Sequence, residues 1–260
     1  MNHLQVALWA EYMKIRKSRI FWITLFIFVF IPLMMGLMIY IVRHPEISAK
    51  LGIVAVKASL FGDADWPAFL GLINQAVATV GFIGFGFVTT WVYGREHTDR
   101  TMKDILTLPV SRTSIVLAKT IIVILWCTML SLVMIITALL LGKAMAIQGF
   151  SQQVLSDGLS KYAITSGLTM LLTTPVAFFA GYGRGLIAPL GFVIITLIMA
   201  QFVALSGLGA FFPWSVPGLF TAPEGTEGMQ LYPSSYIILA ATFLLGLLAT
   251  VSWWKRADHH

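Results

Sequence analysis

The stretch Ile20–Val42, IFWITLFIFVFIPLMMGLMIYIV, contains no charged residue and is bounded by Arg19 on one side and Arg43 on the other. At 1.5 Å of rise per residue, a helix of this length crosses the roughly 30 Å hydrocarbon layer of a bilayer. Five further stretches repeat the pattern: 66–93, 115–141, 162–182, 186–209 and 232–254. None carries more than one charge, and the one is Lys119. The whole chain agrees with these windows. Of its 260 residues 58% are hydrophobic and 11% charged, with a mean hydropathy of +0.87, whereas soluble domains carry about 25% charge. Six transmembrane helices are therefore predicted in an all-α membrane protein, with residues 1–260 forming a single membrane domain.

The formal net charge of +6 would suit a nucleic-acid partner if the cations formed a patch. They sit instead at the ends of the apolar runs, facing lipid phosphates, and no nucleic-acid partner is expected. Twelve of the 17 Lys and Arg fall in the N-terminal segment, the second–third and fourth–fifth connections and the C-terminal segment. The positive-inside rule then places both termini of a multi-pass protein in the cytoplasm. The first nineteen residues lack a secretory signal's short apolar core and cleavage site. Leu4, Leu8, Tyr12 and Ile15 share a helical face with Lys14 and Lys17 away from it, which predicts an interfacial helix over 1–19.

Ser206–Gly228, SGLGAFFPWSVPGLFTAPEGTEG, is too apolar for a water-exposed loop. Pro213, Pro217, Gly218 and Pro223 break it too often for a span, so short re-entrant helices are predicted before the sixth span, with Trp214 near the interface. Pro32 and Pro175 predict kinks in spans one and four, and Gly81, Gly84 and Gly86 a close helix approach to span two. The single cysteine, Cys127, is expected to serve packing.

One connection is more patterned than a linker needs to be: Gly94–Arg112, GREHTDRTMKDILTLPVSR. Thr98 or Asp99 can cap a short helix whose Met102, Ile105 and Leu106 share a side. Leu108-Pro109 ends it, and Ser111 caps the next span. These residues, with Tyr93 before them and Lys119 after, resemble the signature of ABC transporter permeases of the type 2 exporter class. The Glu11-Tyr12-Met13-Lys14 opening and Pro213-Trp214-Ser215-Val216-Pro217 before the last span are similar to the same family.

The resemblance implies that residues 94–108 form a cytoplasmic coupling helix docking on a separate ABC ATPase, with Glu96, Asp99, Arg100, Met102, Lys103 and Ile105 as its contacts. It implies a homodimer or heterodimer of permeases bound to two ATPase copies, with ATP and Mg held there and no cofactor in this chain. The short layout is similar to permeases of the bacitracin-resistance and multidrug kind, which implies a bacterial plasma membrane and export of an amphipathic drug, peptide antibiotic or lipid-like substrate.

The chain has no Gly-x-x-x-x-Gly-Lys-Ser/Thr loop; Gly142-Lys143 is followed by Ala144 and lacks the upstream glycine. A non-catalytic permease is therefore expected. The alternative is an ion-coupled carrier, which would place charges mid-span. Lys119 lies near the start of its run and is expected to snorkel outward. An intramembrane enzyme is a further alternative, but Asp63 and Asp65 without nearby His make a poor metal site. The neutral polar residues inside the spans, Gln75, Thr79, Ser131, Thr165, Ser166 and Gln201 among them, are expected to bond between helices or to line a path.

Overall fold

Six helices of the computed structural model are long and apolar enough to cross a bilayer, and the structure describes residues 3–44, 46, 64–99, 101, 110–183, 185–222 and 230–256. A shorter helix, α1 (His3–Arg16), precedes them, and α2 (Arg19–Arg43) is the first span. The second is continuous over Trp66–Thr98, made of α3 (Trp66–Ala76), a π-type turn at Val77–Gly81, and α4 (Phe82–Thr98). The third is α5 (Arg112–Ala144). The fourth is α6 (Gln152–Leu171) followed by α7 (Thr174–Tyr182), the fifth α8 (Ile187–Leu205) and the last α10 (Pro233–Arg256). Between the last two lie single turns at Gly209–Phe211 and Pro213–Ser215 and the short α9 (Val216–Thr221). No strand occurs among the described residues, only an isolated bridge between Asp65 and Gln148.

Local chemistry starts several of the helices. The Ser18 hydroxyl accepts from the Ile20 N–H, the Asp65 carboxylate from Ala68, and the Ser111 hydroxyl from Ser114, each satisfying a donor that the first turn leaves open. The Ser111 cap is the one predicted, and Asp65 is a cap rather than a ligand.

The first span shows why the helices assemble. Trp22, Phe26, Phe30, Leu33 and Leu37 form an exposed stripe, while Phe28, Ile31 and Ile39 turn inward. Phe28 stacks on Phe85 of the second span at 5.5 Å between ring centroids. The helix runs through Pro32 without a break. Gly84 lies directly under Phe28, and a Cβ on Gly86 would come 2.6 Å from Val193 of the fifth span. The glycines thus admit two neighbours, as small residues do between membrane helices.

Span four does break, at Leu172–Thr173 before Pro175, which cannot continue the hydrogen-bond ladder. The Thr174 hydroxyl, able to donate to Leu171, also reaches the Phe243 carbonyl of the last span at 3.0 Å. Gly246 sits so close that a Cβ there would stand 2.6 Å from the Pro175 nitrogen.

The bundle has two distinguishable ends. At one, Arg112 donates to the Trp254 and Lys255 carbonyls, and Lys14 meets Glu96. This end carries α1, the start of α5 and the end of α10. At the far end Arg43 donates to Met145 and Trp66 to Gln148. An even number of spans returns the chain to the end where it began.

Candidate coupling site

Among the described residues, buried charge is confined to one place. On α1 the residues Ala7, Glu11 and Ile15, spaced four apart, are buried, so Glu11 faces the protein, while Trp9 and Tyr12 are exposed. Of the face expected to lie in the interface, Leu4, Leu8, Tyr12 and Ile15, only Ile15 is buried against the protein. The helix turns its one acidic residue inward, where it pairs with two cations.

Those cations are Lys14 and Lys119. Lys119, four residues beyond Ile115 on α5, is 0% exposed. Its ammonium donates to Glu96 Oε1 at 2.5 Å and to the Val92 carbonyl at 2.8 Å, and lies 3.2 Å from Glu11 Oε1. Lys14 donates to Glu11 Oε1 at 2.7 Å and to Glu96 Oε1 at 2.9 Å. The expectation that Lys119 would snorkel outward is thereby corrected: two carboxylates and a carbonyl meet it inside, so its charge has no need of water. Burial works against the Lys14 charge, but the Glu96 and Glu11 carboxylates outweigh it and hold its pKa above the usual lysine value.

The four residues tie α1, the end of α4 and the beginning of α5 into one electrically neutral knot. Taking a lone charge out of water costs several kcal/mol, which only such mutual pairing can offset. Around it, the Tyr93 hydroxyl donates to the Val116 carbonyl at 3.0 Å and meets Thr120 at 2.7 Å. Gly94 is required just beyond, because a Cβ there would lie 2.9 Å from the Gly185 carbonyl oxygen of the fourth–fifth connection.

The second-span helix itself runs on to Thr98. Residues 94–98, expected to open the coupling helix, are therefore continuous with the second-span helix, and Glu96 ties this end of it into the knot. Of the six expected contacts, Glu96 is 2% exposed and its charge is committed inside the chain. Asp99 is exposed at the helix end and pairs with Arg95 at 2.9 Å. Arg100, Met102, Lys103 and Ile105 lie outside the described residues.

Sequence inspection missed Glu11, Lys14 and Lys119 as partners of Glu96. The available signal was a lone lysine near the start of one apolar run and a glutamate at the end of the run before it, on either side of one connection.

The neutral polar residues divide in two. Ser131, Tyr162 and Ser166 bond to one another between spans three and four, and Thr165 and Thr169 donate back to their own helix. Gln75, Thr79 and Gln201 instead line a cavity of about 400 Å³ at the far end, together with Trp214 and Ser215. Ser215 donates to the Ala200 carbonyl at 3.0 Å, and Trp214 packs edge-on against Phe192 of the fifth span. A second, nearly apolar cavity of about 270 Å³ lies at the span-four break, lined by Tyr93, Thr120, Met170, Thr173 and Thr250. Cys127 is buried in the core, consistent with packing. No group of three or more metal-ligating residues occurs among the described residues.

Residues 7–203 match the family described as "ABC-2 family transporter protein". Over 185 residues, 71% of this chain and 88% of the relative's length, the sequence is 31% identical to the bacitracin transport permease protein BCRB of Bacillus licheniformis.

Proposed function

Since the chain belongs to the ABC-2 transporter family, a family of multi-pass ABC exporter permeases, we propose that it is the membrane subunit through which a separate ATPase drives export. The observation that carries the proposal is the Glu11–Lys14–Glu96–Lys119 knot. It grips both helices flanking residues 99–111 and the surface helix α1, so a push on that connection is delivered to spans two and three together rather than absorbed by a flexible joint. A rigid element joining two sites is what mechanical coupling needs.

In this proposal Asp99 and the segment after it face the ATPase, both termini are cytoplasmic, and Glu96 acts beneath the contact as its anchor. ATP and Mg belong to the partner. Two permease copies assemble with two ATPases. The short helices at 209–221 re-enter the outer side of the bilayer and close the Gln75–Gln201 cavity, which would form the exit of the pathway. A neutral polar cavity walled by aromatic and aliphatic groups favours an amphipathic cargo over a bare ion. The bacitracin transport permease relative supports a peptide antibiotic or similar amphiphile.

Co-expressed with its ABC ATPase partner, the chain should co-purify with that subunit and export substrate only with ATP. Met102→Arg and Ile105→Arg should abolish co-purification, while Glu96→Gln should keep it and lose substrate-stimulated ATP hydrolysis. A buried Lys–Glu pair is also what an ion-coupled carrier places on its route. Transport by the purified chain alone, driven by an ion gradient, would establish that reading and sink the exporter.

A further inference from the structure

We propose that the pocket between α1 and the end of α4 binds the phosphate of an anionic phospholipid. The pocket is open, holds about 510 Å³, and is lined by Lys14, Lys17, Ser18, Trp91, Arg95 and Asp99. The pocket shares Asp99 with the proposed ATPase contact, and its other lining residues lie on α1, at Lys17 and Ser18, and on the end of α4.

The charges around the pocket do not cancel. Lys14 and Lys119 are matched by Glu11 and Glu96, and Arg95 by Asp99. Lys17 forms no ion pair among the described residues, and neither do the exposed Arg16 and Arg19 beside it. The local excess is positive, on the end of the bundle where the basic residues concentrate.

Arg95 supplies the directional element. Its Nε donates to Asp99 Oδ2 at 2.9 Å, and its guanidinium carbon lies 4.9 Å from the centre of the Trp91 ring. These contacts fix the plane of the fork. Its Nη1 is shielded from solvent, so the pocket reaches the rest of the fork, the side chain being 32% exposed. A charged fork left partly open to a pocket favours an anionic acceptor, and a phosphate oxygen is a strong one.

The position selects a lipid over a soluble anion or an acidic protein segment. Ser18 caps the first span and Trp91 belongs to the second, so the pocket lies where the helices leave the apolar layer. Trp9, Tyr12 and Trp22, all more than half exposed on α1 and the start of α2, form an aromatic belt at that level. Met13 and Trp91 add an apolar wall suited to the glycerol backbone below a phosphate.

The test uses the full-length chain in a neutral detergent, with thermal unfolding followed as phosphatidylglycerol, phosphatidylcholine or inorganic phosphate is titrated in. Phosphatidylglycerol should raise the midpoint at concentrations where the other two do not. Lys17→Gln should weaken that response about fivefold. Arg95→Gln should remove most of it and Arg95→Lys restore part, while Lys161→Gln at the far end leaves it unchanged. Equal stabilisation by inorganic phosphate, or a phosphatidylglycerol response that survives both Lys17→Gln and Arg95→Gln, would overturn the proposal. It would equally be overturned if those substitutions left the lipid response intact and instead released the ATPase, which would mark an acidic protein partner.

Discussion

Neutralising one member of the ion knot should cost far more than neutralising two. In Glu96→Gln the ammonium groups of Lys14 and Lys119 share the single carboxylate of Glu11, and Lys119, with no solvent exposure, becomes half of an uncompensated buried charge. In Lys119→Met the imbalance is reversed, with Glu11 and Glu96 sharing Lys14. Removing one partner of a buried pair costs about 3–5 kcal/mol. At about 2–4 °C per kcal/mol for a chain near this size, each single substitution should lower the unfolding midpoint by roughly 6–20 °C. The double substitution leaves Glu11 and Lys14 paired at 2.7 Å and the core neutral, so it should be more stable than either single by about 2 kcal/mol or more. Tryptophan fluorescence during heating of the detergent-solubilised chain reads all four corners of the cycle. Two equal, additive losses would refute the reasoning, and so would single shifts below 2 °C.

Gly246→Ala should separate the span-four break from the last span and lower stability by about 1–3 kcal/mol, because backbone atoms of Thr174 and Pro175 stand within 2.8 Å of the added carbon; Gly191→Ala, with nothing within 4 Å, should not. Gly94→Ala faces the Gly185 carbonyl oxygen at 2.9 Å and the Leu186 side chain at 3.0 Å, and should impair folding yield in a fluorescence size-exclusion assay. Because the Lys14 pKa is raised in the folded chain, the stability it adds is fully present below its ordinary value of 10.5 and is lost only as pH rises through the raised one. The midpoint difference between the parent and Lys14→Met should therefore stay constant from pH 6 to 9 in a thermal scan. In a Cys127→Ala background, a cysteine at position 3 or 256 should react with a membrane-impermeant maleimide in inside-out vesicles, and one at 149 in right-side-out vesicles; the opposite pattern would invert the proposed topology.

Six spans were legible because apolar length is a one-dimensional property: no folding partner can hide a run such as Ile20–Val42 in water. The cap at Ser111 and the interruption at Pro175 were legible for a similar reason, since each depends on backbone chemistry within a few residues, whereas Gly84 and Gly86 signalled a close approach without naming Phe28 and Val193 as the neighbours. The family, too, was carried by a local string, Gly94–Arg112. The ion knot was not legible. Glu11, Lys14, Glu96 and Lys119 belong to three helices, and no period within any one of them reports that their heads converge on a few ångströms of space. Taken alone, Lys119 reads as a cation that must escape to water, and Glu96 as a surface contact. Only the packing of α1 across spans two and three brings each its opposite charge, and in a low-dielectric interior that neighbour decides whether a charged side chain points outward to a partner or inward as an anchor.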